Sequence, residues 1–192
     1  MNGGPNKPRG RDRVMSEAAA LFVQQGYAAT SLRQIAEAVQ IKAASIYHHF
    51  DSKEDLFGTV LNQGIAVMVD AFERAAALDQ PMDDQIKQHV RAHLGALFEH
   101  GPFTAAHVTA FFTAPPPVRA AAIPARDGYE KLWNDLLRVA FADLSDSDVH
   151  LHRLILFGAM NTTIEWFDPK GTLTLDQLAD AIATQFLTGV TS

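Results

Sequence analysis

Short and polar side chains are concentrated between Ser31 and Phe50, in the stretch SLRQIAEAVQIKAASIYHHF. The pattern fits two short helices joined by a tight turn, and the second helix would expose small and polar residues instead of apolar ones. Such a helix can enter the major groove of DNA, which is about 12 Å wide, and hydrogen-bond to base edges. The chemistry that this segment predicts is recognition of DNA by a helix-turn-helix.

The exposed positions around the second helix supply the candidate DNA contacts. They are Thr30, Ser31, Arg33, Lys42, Ala43, Ala44, Ser45, Tyr47, His48 and Lys53. Ala43 and Ala44 permit close approach and can touch a thymine methyl group. Lys42 and Ser45 can reach base edges or phosphates. Tyr47, His48 and Lys53 are placed to donate to phosphates, together with the start of the next helix and its dipole.

Helices with regular apolar spacing must hold this segment in place. The spacing predicts a first helix that ends at Gly26, and a second that starts at Ser31, where Gln34 completes a capping box. A third helix is expected at about residues 42–49. Ser52 then caps a long fourth helix, whose apolar spacing continues well into the body.

The rest of the chain also has the pattern of helices, and no stretch alternates with the period of two that a half-buried strand would show. Further helices are predicted at residues 83–100, 103–113, 129–144 and 149–167, and a last one is capped by Thr174 with Gln177. Pro115, Pro116 and Pro117 are expected to break the chain. Pro124 should break it again or open the next helix at its first turn. The sequence predicts an all-α protein.

Charge is distributed unevenly, although the whole chain carries −6. Residues 1–53 contain seven basic and four acidic residues, a net charge of +3, whereas the remainder contains nine basic and eighteen acidic residues, a net charge of −9. A basic head on an acidic body favours the binding of phosphates at one end of the molecule. Chance asymmetry is the alternative, because only a few charges decide the difference.

Composition narrows the class of protein further. The 192 residues contain no cysteine, which excludes disulfides, zinc fingers, thiolate catalysis and iron–sulfur clusters, and suits a reducing cytosol. No segment reaches the roughly 18 uninterrupted apolar residues of a membrane span, and the start lacks the apolar stretch of a signal peptide. We therefore expect a cytoplasmic protein with no membrane partner. Residues 1–8 are interpreted as a disordered basic arm, or partly as an expression remnant.

Two stretches of the head carry a family signature. They are KAASIYHHFDSKEDLF and, ahead of it, AAALFVQQGYAATSLRQIAEAV. Both resemble the TetR-type (tetracycline-repressor-like) transcriptional regulators, and the resemblance is specific over residues 10–60. For the body it extends only to a layout of several helices with an apolar two-helix end. The chain departs from the family at Gln40, where the family usually has glycine, and a positive φ there would cost about 1 kcal/mol.

The resemblance implies an N-terminal three-helix DNA-binding domain over residues 9–54, joined by the long fourth helix to an all-helical ligand-binding and dimerisation domain over residues 55–192. It also implies a homodimer formed by the last two helices of each subunit. The apolar segment at 149–167 supports this, because one side alone cannot bury so much apolar surface. Such a dimer suits a palindromic double-stranded DNA operator with half-sites about 34 Å apart or a multiple of it. The alternative is that the segment is central in a monomer.

A small-molecule pocket in the body, whose ligand releases the DNA, is also implied by the resemblance. Candidate lining residues are Met68, Phe72, Phe98, His107, Phe111, Phe112, Trp133 and Asn161, although each can also be ordinary core. Many aromatic residues, two proline breaks and a few polar groups favour a pocket. The scattered arginines and lysines of the body favour an apolar or aromatic effector of modest charge, and an acyl thioester is an open alternative.

These features predict a ligand-responsive transcriptional repressor that is not an enzyme and uses no cofactor. A transcriptional activator or a ligand-independent regulator of the same fold is the alternative among DNA-binding proteins. An all-helical enzyme and a helical interaction protein are alternatives from other classes, but no nucleophile elbow, phosphate loop or carboxylate cluster is found in the sequence. His89 and His93 have the spacing of a helical metal site, yet they lack the adjacent glutamate of metallopeptidases, so we expect no metal.

Overall fold

The computed structural model describes residues 10–190, and the predicted basic arm at residues 1–8 lies outside this range. The described chain forms nine α-helices. They are α1 (Gly10–Ala29), α2 (Leu32–Val39), α3 (Ala43–Ile46), α4 (Lys53–Ala76), α5 (Met82–Phe98), α6 (Pro102–Ala110), α7 (Pro116–Ala140), α8 (Asp146–Asn161) and α9 (Leu175–Val190). Within residues 10–190 there is no strand, which confirms the prediction of an all-α protein. None of these helices combines the length and apolarity that crossing a membrane requires.

The three helix starts predicted from capping residues are confirmed by their hydrogen bonds. Ser31 accepts from the backbone N–H of Gln34 at 3.2 Å, while the Gln34 side chain accepts from the Ser31 N–H at 2.8 Å. Ser52 accepts from the N–H of Asp55 at 3.0 Å at the start of α4. Thr174 and Gln177 form the same reciprocal pair before α9. These local bonds satisfy donors that the first turn of a helix leaves free, so the sequence pattern is sufficient to place them.

Several predicted boundaries are wrong. The helix predicted at residues 129–144 is α7 and begins at residue 116, and the one predicted at residues 149–167 is α8 and ends at residue 161. α3 ends at Ile46, and residues 47–49 continue as hydrogen-bonded turns, so the third helix is shorter than expected. Pro124 neither breaks the chain nor opens a helix, because it lies inside α7. The carbonyl of Ala120, which loses its helical donor to Pro124, belongs to an exposed residue and can be solvated. Pro116 and Pro117 occupy the first turn of α7, where a missing N–H costs nothing.

Two hydrophobic cores are joined by α4. The first core contains α1, α2 and Ile46 of α3, with the N-terminal half of α4, and residues from α6 and the start of α7 complete it. The second core contains the rest of α4 with α5, α7, α8 and α9. Since α4 has Leu61 in the first core and Ile65 in the second, one continuous helix connects the head to the body. The predicted division after residue 54 falls within the first turn of this helix and stays a prediction.

Candidate functional site

The turn between α2 and α3 has a left-handed residue at its centre. Gln40 has φ 62° and ψ 45°, the conformation in which glycine is usual. The N–H of Gln40 donates to the carbonyl of Glu37 at 3.1 Å, and the N–H of Ile41 donates to the carbonyl of Ala36 at 2.9 Å. This pair of bonds is a Schellman motif, which ends α2 and directs the chain into α3.

The outer surface of α3 is made of short and polar side chains. Lys42, Ala43 and Ala44 are exposed, Ser45 is half-buried, and Tyr47 is 59% exposed. His48 is exposed as well. Ile46 faces inward and packs into the first core. The predicted contacts on α3 are therefore at least partly accessible, and its small residues allow a close approach to a DNA groove.

The predicted contacts around α2 have different environments. Thr30 is buried, and its hydroxyl donates to the carbonyl of Gly26 at 2.8 Å, where Gly26 itself breaks the helical geometry with φ 79°. The visible role of Thr30 is to hold the turn between α1 and α2. Ser31 and Arg33 are exposed, and Arg33 forms an ion pair with Glu37 at 2.8 Å on the same helix. Arg33 can exchange this solvent-exposed partner for a phosphate at little cost.

Lys53 lies at the start of α4 beside an aromatic residue of α1. Its ammonium is 4.0 Å from the ring centroid of Tyr27, a cation–π contact, and the Tyr27 hydroxyl donates to Glu54. Partial burial lowers the pKa of Lys53. Burial and the bond to Glu54 raise the pKa of Tyr27 above its ordinary value. The cation–π contact with Tyr27 thus positions the ammonium at the start of α4.

Sequence reasoning missed two arginines that support this surface. The Arg11 guanidinium lies 5.0 Å from the ring centroid of Phe50, and Arg13 donates to the carbonyl of Val39 at 3.0 Å. Arg13 thereby satisfies an acceptor at the C-terminal end of α2. Both come from α1, so their only sequence signal was the positive charge of the head.

The second candidate site is a small cavity in the body, with a volume of about 60 Å³. Its wall includes the predicted residues Met68, His107, Phe111, Phe112 and Asn161. The other predicted residues, Phe72, Phe98 and Trp133, belong to the second core and do not line it. Five polar or aromatic residues that sequence reasoning did not select also line the cavity: His93, Arg126, Tyr129, Glu130 and Phe157.

A buried histidine joins three helices at one wall of this cavity. His93 Nε2 lies 3.0 Å from Asn161 Oδ1, and Nδ1 lies 2.8 Å from the Tyr129 hydroxyl. Since the Asn161 oxygen can only accept, Nε2 carries the proton and Nδ1 accepts from Tyr129. Burial lowers the pKa of His93 to about 4, so the ring is neutral at pH 7. Between residues 10 and 190 no group of three or more metal-binding side chains occurs.

α6 connects the cavity to the head. His107 lines the cavity, and its Nδ1 lies 3.2 Å from the carbonyl oxygen of Leu61 in α4. Ala106 and Ala110, on the same helix, belong to the first core, where α6 packs against α1. α6 also approaches α4 closely at Gly64, because a Cβ there would lie 2.5 Å from the Phe103 carbonyl oxygen.

An apolar surface remains uncovered on α8 and α9. Leu151, Leu154 and Ile155 of α8 are between 48% and 57% exposed. Beside them, a groove of about 590 Å³ runs along α8 and α9 and includes Ile155 and Ile182. Exposed apolar surfaces of this kind often mark interaction sites in proteins.

Known protein families match both the head and the body of the chain. Residues 14–60 match the family described as bacterial regulatory proteins, tetR family, and residues 79–190 match the tetracyclin repressor-like C-terminal domain. The chain belongs to the TetR family. The helix-turn-helix repressor KstR2 of Mycolicibacterium smegmatis is 26% identical over 97% of this chain and 94% of its own length.

Solved structures of TetR-family proteins share the whole fold. PfmR from Thermus thermophilus is 29% identical, with a TM-score of 0.78 over 92% of this chain and 98% of its own. AibR, solved with isovaleryl coenzyme A and operator DNA, is 20% identical, with a TM-score of 0.81 over 91% of this chain and 96% of its own. This TetR-family chain is therefore a DNA-binding transcriptional regulator and not an enzyme. The predicted family, fold class and regulatory role are confirmed.

Proposed function

We propose that this TetR-family regulator is a cytoplasmic homodimeric repressor, released from a palindromic operator when a small apolar or aromatic molecule enters the cavity. The name of its relative KstR2 supports repression as the direction of control. The structure of AibR with isovaleryl coenzyme A and operator DNA supports the principle that this fold accommodates both an effector and DNA.

The observation that carries the proposal is the position of α6 between the cavity and the DNA-reading head. His107 and Phe111 line the cavity, while Phe111 and Ala106 belong to the core of the head. A ligand that displaces the first two side chains must shift α6 or strain its contact with α4 at Gly64, because packed interiors have little free volume. The shift would reorient α1 and the start of α4 and thereby misplace α3.

The proposed DNA contacts are divided by role. Ala43, Ala44 and Ser45 would face base edges, and Lys42 would reach a base edge or a phosphate. Lys53 and Tyr47 would donate to phosphates, because one is a fixed cation and the other an exposed phenol beside α3. Contributions from Ser31, Arg33 and His48 would come from the same exposed side.

The proposed dimer uses the apolar surface of α8 and α9. Leu151, Ile155 and Ala159 recur four residues apart on α8 and are all exposed. A second copy of the same surface, related by a two-fold axis, would bury them in a four-helix arrangement. The two α3 helices would then address the two halves of a symmetric operator.

The test is fluorescence anisotropy with DNA taken from beside the protein's own gene, measured at several salt concentrations against a scrambled competitor. We expect tight, sequence-selective binding that saturates at two subunits per site. An apolar compound that raises the melting temperature of the free protein should also lower the affinity for this DNA. If both DNAs bind equally and weakly, a selection from random DNA should still yield a symmetric site. Failure of that selection would contradict the proposed operator, and saturation at one subunit would contradict the dimer.

A further inference from the structure

The positive and negative groups at the cavity do not balance. Arg126 and Glu130 are its charged lining residues, and the Arg126 Nε donates to Glu130 Oε1 at 2.8 Å. The guanidinium also lies over the rings of Phe111 and Phe112, 4.7 Å and 5.1 Å from their centroids. Its two terminal nitrogens have no hydrogen-bond partner among the described residues. They are donors available to a ligand.

Glu130 is fully engaged by two arginines. Its second oxygen, Oε2, accepts from Arg153 Nη2 at 2.9 Å, and Arg153 is 1% exposed. Arg153 Nη1 is buried without a partner in the part of the chain that the structure describes. Arg153 Nε donates to Asn134 Oδ1 at 3.0 Å, and Nη2 also lies 3.2 Å from His150 Nδ1, so no second carboxylate contacts Arg153 among the described residues. Two buried or half-buried cations therefore share one carboxylate, which leaves one positive charge in excess.

The remaining polar groups of the cavity add no charge, but their hydrogen bonds show which of them can donate to a ligand. Burial lowers the pKa of His107 to about 4, as it does for His93, so both rings are neutral at pH 7. Asn161 uses its oxygen to accept from His93, so its amide N–H₂ is available as a donor to a ligand oxygen. The amide of Asn161 and the guanidinium of Arg126 thus both favour an acceptor on the ligand.

We propose that the cavity binds an apolar monocarboxylate whose carboxylate accepts from the free terminal nitrogens of Arg126. The inference rests on the proposed ligand-controlled function and names the chemical class of the ligand. A carboxylate would neutralise the excess positive charge and satisfy the planar donor pair of the guanidinium. The apolar body would contact Ile65, Met68 and Phe157.

Ligands with a different charge fit the cavity less well. A cation would find the carboxylate of Glu130 already bound to two guanidinium groups. A ligand with several phosphates would bring more negative charge than one excess cation can neutralise, and desolvating the surplus would be costly. A neutral alcohol could use the Asn161 amide but would leave the excess charge uncompensated.

The cavity must enlarge to admit such a molecule, because about 60 Å³ is far below the roughly 300–1,000 Å³ of ordinary ligand pockets. Phe112 is the lining side chain with the most freedom to move. It is 67% exposed, and its ring contacts are the edge-on one with Phe111, at 5.3 Å between centroids, and the one with the Arg126 guanidinium. Its displacement would open the side of the cavity where Arg126 lies.

The proposal is tested with three matched probe series: straight-chain carboxylates of four to ten carbons, and the primary alcohols and primary amines of the same lengths. Isothermal titration calorimetry and thermal shift are measured on the full chain without DNA. We expect at least one carboxylate to bind at least tenfold more tightly than the alcohol of equal length, with no binding of the amine. Arg126→Met should remove this tenfold preference and leave alcohol binding unchanged. Arg126→Lys should keep part of it.

Arg138→Met is the matched control, because Arg138 lies on the same helix and pairs with Asp135 and Asp146 away from the cavity. Arg126→Met should still fold, since Glu130 keeps Arg153 as its partner. Equal affinity for carboxylate and alcohol, tighter binding of the amine, or no binding of any carboxylate would each overturn the ligand class. Anisotropy on operator DNA in the same samples reports separately whether the regulator itself is functional.

Discussion

His107 Nδ1 lies 3.2 Å from the carbonyl oxygen of Leu61, a contact that joins the cavity wall on α6 to the helix that begins beside the DNA-reading surface. The carbonyl belongs to an α-helix and the imidazole to a residue that is 5% exposed, so the contact is shielded from water. Three residues further along α4, Gly64 lets the backbone of α6 approach.

Gly64→Ala should destabilise the protein by about 1–3 kcal/mol, because the new methyl group would meet the Phe103 carbonyl oxygen at 2.5 Å and force α4 and α6 apart. Gly58→Ala is the control on the same helix, since its nearest neighbour would be a Val118 methyl group at 3.7 Å. That change should be neutral or stabilising by up to about 1 kcal/mol. Urea unfolding measures both, and equal stability of the two variants would contradict the close α4–α6 packing.

Gln40→Gly should stabilise the protein by about 1 kcal/mol, because glycine adopts the observed φ of 62° without steric cost. The same substitution at Gln88, an exposed position inside α5, should have the opposite effect and destabilise by roughly 0.5–1 kcal/mol. Chemical unfolding curves of the two variants give the comparison. A loss of stability in Gln40→Gly would mean that the glutamine side chain contributes a contact that outweighs the backbone strain.

Lys53→Ala should weaken binding to operator and scrambled DNA alike and reduce the slope of log K against log salt by about one unit, because one phosphate contact is lost. Ser45→Ala and Lys42→Ala should instead change the sequence preference. Lys87→Ala, on α5 of the body, serves as the control and should leave the slope as it is. The phosphate role of Lys53 is refuted by an unchanged slope in Lys53→Ala.

The free energy of unfolding should fall as the pH is lowered from about 6.5 towards 4. His93 and His107 have folded-state pKa values of about 4, below the roughly 6.5 of the unfolded chain, so in this window the unfolded state takes up protons that the folded state does not. The stability that these two histidines contribute is fully present above pH 6.5. Below that pH, each histidine lowers the free energy of unfolding by up to about 1.4 kcal/mol per pH unit.

Urea unfolding at pH values between 7.5 and 5 measures this dependence, above the range in which most carboxylates titrate. The variant His93→Gln His107→Gln should be less stable at pH 7.5 but show a shallower decline towards pH 5. A decline as steep as that of the parent chain would show that other groups cause it.

Ile155→Glu should convert the proposed dimer to a monomer, because it places a charge at the centre of the exposed apolar surface of α8. Light scattering after size exclusion should report the 21.0 kDa mass of one chain, against twice this mass for the parent protein. Val139→Glu is the control, since Val139 is 69% exposed on α7 and outside the groove. A dimeric Ile155→Glu variant would place the interface elsewhere.

Local interactions explain why much of the fold could be predicted from the sequence. The capping pairs at Ser31, Ser52 and Thr174 depend on residues only three positions away, so a short pattern specifies them. The apolar spacing of the helices likewise follows from the helical repeat. Pro124 was misjudged because its effect depends on where the freed carbonyl points, and on the exposed side of α7 water can satisfy it.

Local periodicity, capping and side-chain type were enough to predict the helical class, the head that matches DNA-reading regulators and the surface residues of α3. Which polar residues meet around the cavity depends instead on how the helices pack together. His93, Tyr129 and Asn161 come from three different helices, and Arg153 shares Glu130 with Arg126 across α7 and α8. Such contacts depend on how helices pack across long sequence separations, which the periodicity of any one helix does not encode.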